Sequence, residues 1–292
     1  MKAPWFGNQC IACLEDGPFT EEHVIPRSLG GDLTCEFLCK PCNDAFGSTF
    51  EAGAKTDPAV RLAVANLGNV LPSSVFQRIE EGQDYTSQSG PVPVRATYRA
   101  GELMPKTFRH TDGSLMVPTK DAAAHIERMA AKHGHAGEFA RVAASRLNSL
   151  PEQTKVELLP GISVINWPTD QARPDLGAHP VNELVLVKTA FEFLALLLGT
   201  AIYESVAALG QIRDALKGSG DASGYRVERF LSPTYAPFHG LCFEGNDPHA
   251  KVQIRLFGKL AFRVHFLHLA VDAPKAVYTH SLTTGEHSFL QI

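Results

Sequence analysis

Residues 10–43 contain three blocks: Cys10-Ile11-Ala12-Cys13, then Thr20-Glu21-Glu22-His23-Val24-Ile25-Pro26-Arg27-Ser28-Leu29-Gly30-Gly31, then Leu38-Cys39-Lys40-Pro41-Cys42-Asn43. Each C-x-x-C pair has the knuckle spacing that lets two thiolates reach one tetrahedral ion, and two knuckles close a four-sulfur site. Such a site has no open position and is structural, and in a segment this short the ion supplies much of the folding free energy. Cys10, Cys13, Cys39 and Cys42 are therefore read as ligands of a structural Zn2+. Dithiol redox chemistry and chance spacing are the competing readings. Of the six cysteines, Cys35 and Cys242 lie outside the pairs, and Cys35 reads as a small buried side chain. The first residues lack the apolar core of a signal peptide, so paired cysteines point to metal before disulfides.

The order of these blocks, Cys-x-x-Cys, Glu-His-Val-Ile-Pro, Gly-Gly and Leu-Cys-x-x-Cys-Asn, resembles the HNH endonuclease family in its subgroup with a four-cysteine zinc site. The resemblance covers about 45 residues, a small part of the chain, with several motif elements in order. It implies a ββα-metal fold: a β-hairpin that carries an acidic residue and a histidine, and a helix that carries the last ligand. Carried over by position, His23 is the general base, Glu22 a ligand of a catalytic divalent ion, and Asn43 the second ligand. Histidine suits a base working near neutral pH. A hard cation held by oxygen donors suits the charge that builds on a scissile phosphate. Two metals are thus expected, zinc in the knuckles and Mg2+ or Mn2+ at the cut. Thr34 stands where the family carries its middle asparagine, so the resemblance does not say what orients His23.

Each residue has a plainer reading beside this one. His23 could be a surface histidine, Glu22 a solvated charge, and Asn43 a helix cap. Arg27 is a candidate phosphate contact or an ordinary exposed arginine, and Glu51 reads as structural rather than as an extension of the metal shell.

The net charge of −4 is unevenly spread: residues 1–60 hold four basic against nine acidic side chains, and the remainder nets +1. A protein that grips DNA electrostatically is usually basic somewhere, so the charge gives no support for tight nonspecific binding. No run is read as a membrane span, the most apolar being Phe193 to Leu198. A cytoplasmic location is expected.

Beyond the knuckles, Asp57-Pro58 reads as a helix start with Gly68 as its stop. Residues 72–118 read as turns and short strands, and helices are expected over 121–132 and 136–147. A strand is expected over 156–167, broken at Pro160-Gly161. Residues 187–217 read as one long or two consecutive helices, the first buried and apolar on almost every side. In 251–266 the apolar Val252, Ile254, Leu256, Leu260, Phe262, Val264 and Phe266 are all even-numbered, while Lys251, Gln253, Arg255, Lys259, Arg263 and His265 are odd, so one parity holds across Gly258. That parity fits one bent strand or a hairpin whose odd-numbered loop is centred on Gly258. The odd face (Lys251, Arg255, Lys259, Arg263, His265) reads as the solvated side of a half-buried sheet rather than as a phosphate track. His133 and His135 read as loop residues.

The expected fold class is α+β: an HNH nuclease module with its four-cysteine zinc site over 1–57, then a larger mixed domain over 58–292 that could recognise, sense or dimerise. The expected function is a metal-dependent HNH endonuclease acting on nucleic acid, DNA first, in restriction or defence by family analogy. Two-strand cutting by a single site would call for a homodimer. The rivals are a zinc-stabilised nucleic-acid-binding module without turnover and a zinc-stapled protein adaptor.

Overall fold

The computed structural model describes residues 1–68, 70–87, 94–132, 154–159, 161–166, 173–174, 182–204, 207–220, 222–231, 236–246 and 248–291. The helix expected over 136–147, and with it His133 and His135, lies outside the described residues.

The chain begins with a two-stranded antiparallel hairpin, β1 (Phe19–His23) and β2 (Thr34–Cys39), followed by α1 (Lys40–Phe46). This is the ββα arrangement that the resemblance implies. Cys39 is the extended N-cap of α1 and Pro41 sits in its first turn, where a missing N–H costs no hydrogen bond. The helix widens into a π-turn over Gly47–Glu51. Then α2 (Pro58–Leu67) starts as expected: the Asp57 carboxylate accepts from the N–H groups of Ala59 and Val60, and Gly68 ends it. Helix α3 (Ser73–Glu80) follows.

Residues 80–175 form a compact unit of their own. It holds β3 (Asp84–Ser87), β4 (Val94–Arg99), β5 (Glu102–Pro105), β6 (Phe108–Arg109), β7 (Leu115–Pro118), α4 (Thr119–Lys132), β8 (Thr154–Leu159), β9 (Ile162–Asn166) and β10 (Arg173–Pro174). These strands form two four-stranded sheets, ordered β10-β3-β4-β5 and β6-β7-β9-β8. The strand expected over 156–167 is thus the β8–β9 hairpin, turned at Gly161, whose φ is +77°.

The other compact unit is discontinuous, made of residues 1–79 and 176–292. Its second part supplies α5 (Glu183–Leu198), a 3₁₀ turn over Gly199–Tyr203 and α6 (Ala207–Leu216). It then supplies β11 (Tyr225–Leu231), β12 (Phe238–Gly245), β13 (Ala250–Leu256), β14 (Leu260–Phe266), β15 (Ala276–Ser281) and β16 (His287–Gln291). The six strands form one antiparallel sheet in the order β11-β14-β13-β12-β15-β16. Leu256 faces Leu260 across a three-residue turn, so the hairpin alternative for 251–266 holds, and the even residues Val252, Ile254, Phe262 and Val264 are buried. On the odd face, Arg263 pairs with Glu244 at 2.7 Å, and His265 lies 3.2 Å from Glu228. Acidic partners thus meet part of that face's positive charge.

The division expected after residue 57 is not a boundary between compact units. Ile11, Val24, Ile25, Phe37 and Leu38 of the zinc module share one continuous core with Phe191, Phe193, Leu194, Ile254, Val264 and Phe266. A segment of about 50 residues buries too little apolar surface to stand alone, and here α5 and the six-stranded sheet complete its core. Helix α5 is the buried, apolar helix expected from the sequence. Glu183–Tyr203 is, by length and composition, long and apolar enough to cross a membrane, with mean hydropathy 1.9. Its apolar sides are instead covered by protein: every residue from Val185 to Ala195 is buried.

Candidate active site

The two knuckles converge. The four sulfurs of Cys10, Cys13, Cys39 and Cys42 lie within 4.8 Å of one another, and Cys13 Sγ is 3.7 Å from Cys39 Sγ. Four thiolates about 2.3 Å from a tetrahedral zinc ion stand about 3.8 Å apart, so the cluster fits that ion without rearrangement. Burial pushes the Cys13 thiol up to about 11, whereas backbone N–H groups outweigh burial at Cys10 and hold it below the ordinary value. A divalent cation reverses the first effect by stabilising the thiolates. Cys35, fully buried, is not among the four. The first knuckle is also tied to the distant part of its unit. Arg213 of α6 donates through Nε to the Ile11 carbonyl at 2.9 Å, and the Tyr203 hydroxyl donates to the Gln9 carbonyl at 2.6 Å.

His23 ends β1, half-buried, with Nδ1 3.0 Å from the carbonyl oxygen of Gly31. A carbonyl can only accept, so Nδ1 carries the proton and Nε2 keeps its lone pair. Burial, with the Arg27 charge as a smaller contributor, lowers the His23 pKa below its ordinary 6.5, although the Gly31 carbonyl pulls the other way. The ring is therefore neutral near pH 7. A backbone carbonyl thus holds the ring. Thr34, buried, merely faces His23 across the hairpin. Gly31 is required at this place, because a Cβ there would lie 1.8 Å from the Ile25 carbonyl oxygen. Arg27, exposed in the 3₁₀ turn Arg27–Leu29, is close enough to His23 to depress its pKa.

Glu22, one residue earlier, points into the protein, as strand alternation requires. It is 4% exposed, and its carboxylate takes the ammonium of Lys188 from α5. The same Nζ donates to the His23 carbonyl at 2.9 Å and lies 2.7 Å from Glu51 and 3.1 Å from Glu192. Burial alone would lower the Lys188 pKa, but the carboxylates, Glu192 foremost, outweigh it and the amine stays charged. One ammonium cannot neutralise three carboxylates. Burial raises Glu22 and holds Glu192 well above the ordinary carboxylate range. Glu51 is structural, as read from the sequence, and anchors the π-turn to α5.

Asn43 lies one turn inside α1 and does not cap it. Its Nδ2 donates to Thr20 Oγ1 at 3.0 Å and to the Glu21 carbonyl at 3.2 Å, pinning the helix to β1. The two residues expected to hold a catalytic Mg2+ or Mn2+ thus each have a protein partner in this structure. Asn43 holds the hairpin edge, while the Glu22 carboxylate is buried on an ammonium. A hard cation prefers several oxygens, with water among them. Lys188 and Glu192 were missed by the sequence reading, although two charges four residues apart in an otherwise apolar buried helix are a signal, since buried charge must be paired.

Residues 10–58 match the family model described as HNH endonuclease. No curated protein and no solved structure matches the chain. The match spans the four cysteines, His23, Asn43 and Glu51, and ends at the start of α2.

Proposed function

We propose that this protein is an endonuclease that hydrolyses phosphodiester bonds of DNA, with His23 as its general base. The observation that carries the proposal is the His23 ring held through Nδ1, 3.0 Å from the Gly31 carbonyl oxygen, on a hairpin and helix joined by the four-cysteine cluster. Nε2 takes the proton from a water as that water attacks phosphorus, the P–O bond to the leaving sugar oxygen breaks, and that oxygen takes a proton from solvent; the imidazolium is stabilised by the carbonyl that accepts from Nδ1 and returns its proton to solvent. In this reading the exposed Arg27, whose charge is felt at His23, binds the phosphate. Nothing in this proposal is routed through a divalent ion at Glu22, whose carboxylate is committed to Lys188. A cytoplasmic setting and a role in restriction or defence belong to the same proposal.

Supercoiled plasmid and single-stranded RNA, incubated with wild type and with His23→Ala under Mg2+, Mn2+ or EDTA, test it. The expected result is nicking or linearisation of the plasmid by wild type, lost in His23→Ala while zinc content stays the same. Equal cutting by the two proteins would refute the base assignment, and cutting of RNA alone would refute the substrate. A second reading, a zinc-stabilised nucleic-acid-binding module without turnover, is favoured by the commitment of Glu22 to Lys188. It takes over if neither substrate is cut but plasmid is bound.

A further inference from the structure

Behind the loop that holds His23, three histidines stand side by side across the six-stranded sheet. His239 of β12 faces His280 of β15, and His280 faces His287 of β16. His239 is fully buried and spends both ring nitrogens, Nε2 on the Leu29 carbonyl at 2.9 Å and Nδ1 as acceptor from Phe257 N–H. His280 differs: it is 6% exposed, and its Nδ1 is buried without a hydrogen-bond partner among the described residues. Such an atom costs free energy unless something supplies its partner. The His280 and His287 rings are stacked, with centroids 4.5 Å apart.

Asp32 comes to these two rings from the far end of the sequence. One ligand atom each from Asp32, His280 and His287 fall within 4.8 Å of one another. His287 Nε2 is 3.1 Å from Asp32 Oδ2, the separation of two donors that share one ion at about 2.1 Å from each. On its other side, His287 Nδ1 is 2.9 Å from the Tyr278 hydroxyl, and a partner on the second nitrogen is the usual companion of a metal-bound imidazole.

We propose that Asp32, His280 and His287 form a second metal site, for a divalent transition ion of the zinc class. Two imidazoles and one carboxylate suit Zn2+, Co2+ or Ni2+ better than the four-sulfur preference of the knuckles or the all-oxygen preference of Mg2+. Three protein ligands leave a coordination position for water or a phosphate oxygen. The opening lies on the Asp32 side, where the carboxylate is 48% exposed. The ion would fasten the loop 27–32 to the sheet, one residue from the Gly31 carbonyl that holds His23. The Met1 α-amino group, 3.7 Å from the Asp32 carboxylate, opposes a cation, as does Arg78 near His280. The second ion is therefore held less tightly than the thiolate-bound one. This inference does not depend on the nuclease reading.

Full-length protein carrying one zinc is titrated with Co2+, followed by calorimetry and visible absorption. Wild type is expected to take up one Co2+ with the weak bands of nitrogen and oxygen ligands and no sulfur charge transfer. His280→Ala and Asp32→Asn, each checked by circular dichroism and by retention of the first zinc, are expected to take up none. Tyr278→Phe is expected to bind about 10–100-fold more weakly. EDTA is expected to strip this ion before the zinc. Asp32→Asn alters an exposed side chain, so it keeps the test valid if His280→Ala does not fold. No Co2+ uptake by wild type, or uptake by Asp32→Asn at wild-type affinity, overturns the proposal and makes the cluster an ordinary hydrogen-bonded clasp.

Discussion

Replacing Lys188 by Met is expected to destabilise the discontinuous unit by about 3–5 kcal/mol, the cost of removing one partner from a buried ion pair. The magnitude follows from the surroundings. Lys188 is 0% exposed and is, among the described residues, the only cation against Glu22, Glu51 and Glu192, of which Glu22 and Glu192 are themselves buried. Methionine fills most of the same volume, so little of the loss comes from a cavity. At roughly 2–4 °C per kcal/mol for a unit of this size, the melting temperature falls by about 6–20 °C. The loss must also depend on pH. Glu22 and Glu192 have folded-state pKa values above the ordinary 4.5. Raised carboxylates contribute stability that is complete below the unfolded value and is lost as pH rises through the folded one. Without the ammonium both are raised further, so the variant's deficit is smaller at pH 5.5 than at pH 7.5. Urea unfolding followed by far-ultraviolet circular dichroism at both pH values measures this. Adding Glu192→Leu to Lys188→Met should recover part of the loss, because it removes one buried carboxylate. A deficit below about 1 kcal/mol at pH 7.5, or one that grows toward acid, would refute the buried-charge reasoning.

Cleavage by wild type, measured under single turnover, should rise with pH along a limb whose midpoint lies below 6.5 and stay flat above it, because His23 must be neutral to act; a midpoint above 7 contradicts the environment described for that ring. Gly31→Ala should lose cleavage by roughly 10²-fold or more while zinc is retained, since the new Cβ meets the Ile25 carbonyl oxygen and must shift the carbonyl that orients His23; wild-type rates would show that the carbonyl is dispensable. Cys39→Ser, or treatment with a strong chelator, should loosen the segment around the first knuckle and open it to limited proteolysis ahead of the sheet, since zinc supplies local folding energy there; an unchanged digestion pattern would mean that Arg213 and Tyr203 hold the knuckle without zinc.

The parts of the fold that are readable in the sequence are those set by short spacing. C-x-x-C pairs, Asp57-Pro58 and the parity of 251–266 each depend on neighbours within a few residues. The zinc cluster, the start of α2 and the β13–β14 hairpin duly follow. The placement of His23 on a hairpin came from the family resemblance that this local run carries, but its partner did not, because a backbone carbonyl leaves no residue type to recognise. Glu22 shows where local reasoning ends. Its neighbours give it the look of a ligand, whereas its environment is decided by Lys188, 166 residues away. The row His239, His280 and His287 becomes visible only once the strands are paired in register. The compact units were illegible for a related reason. Residues 80–175 interrupt a unit whose two halves share one core, and no change of composition marks a chain that leaves and returns.

That return sets the order in which the protein can be made. The contacts that seat the hairpin join Glu22 to Lys188, Ile11 to Arg213, Leu29 to His239 and Asp32 to His287, with separations of 166, 202, 210 and 255 residues. At about 5–20 residues per second on a ribosome, the His23 loop waits on the order of 10–50 s before its last strand emerges. Contacts this remote in sequence also slow the folding search itself. A nascent chain therefore carries its knuckles and its histidine without the scaffold that orients them. The orientation of His23 is thus delayed until the strands ending at β16 have been synthesised and docked, so the ring is set only in the finished fold.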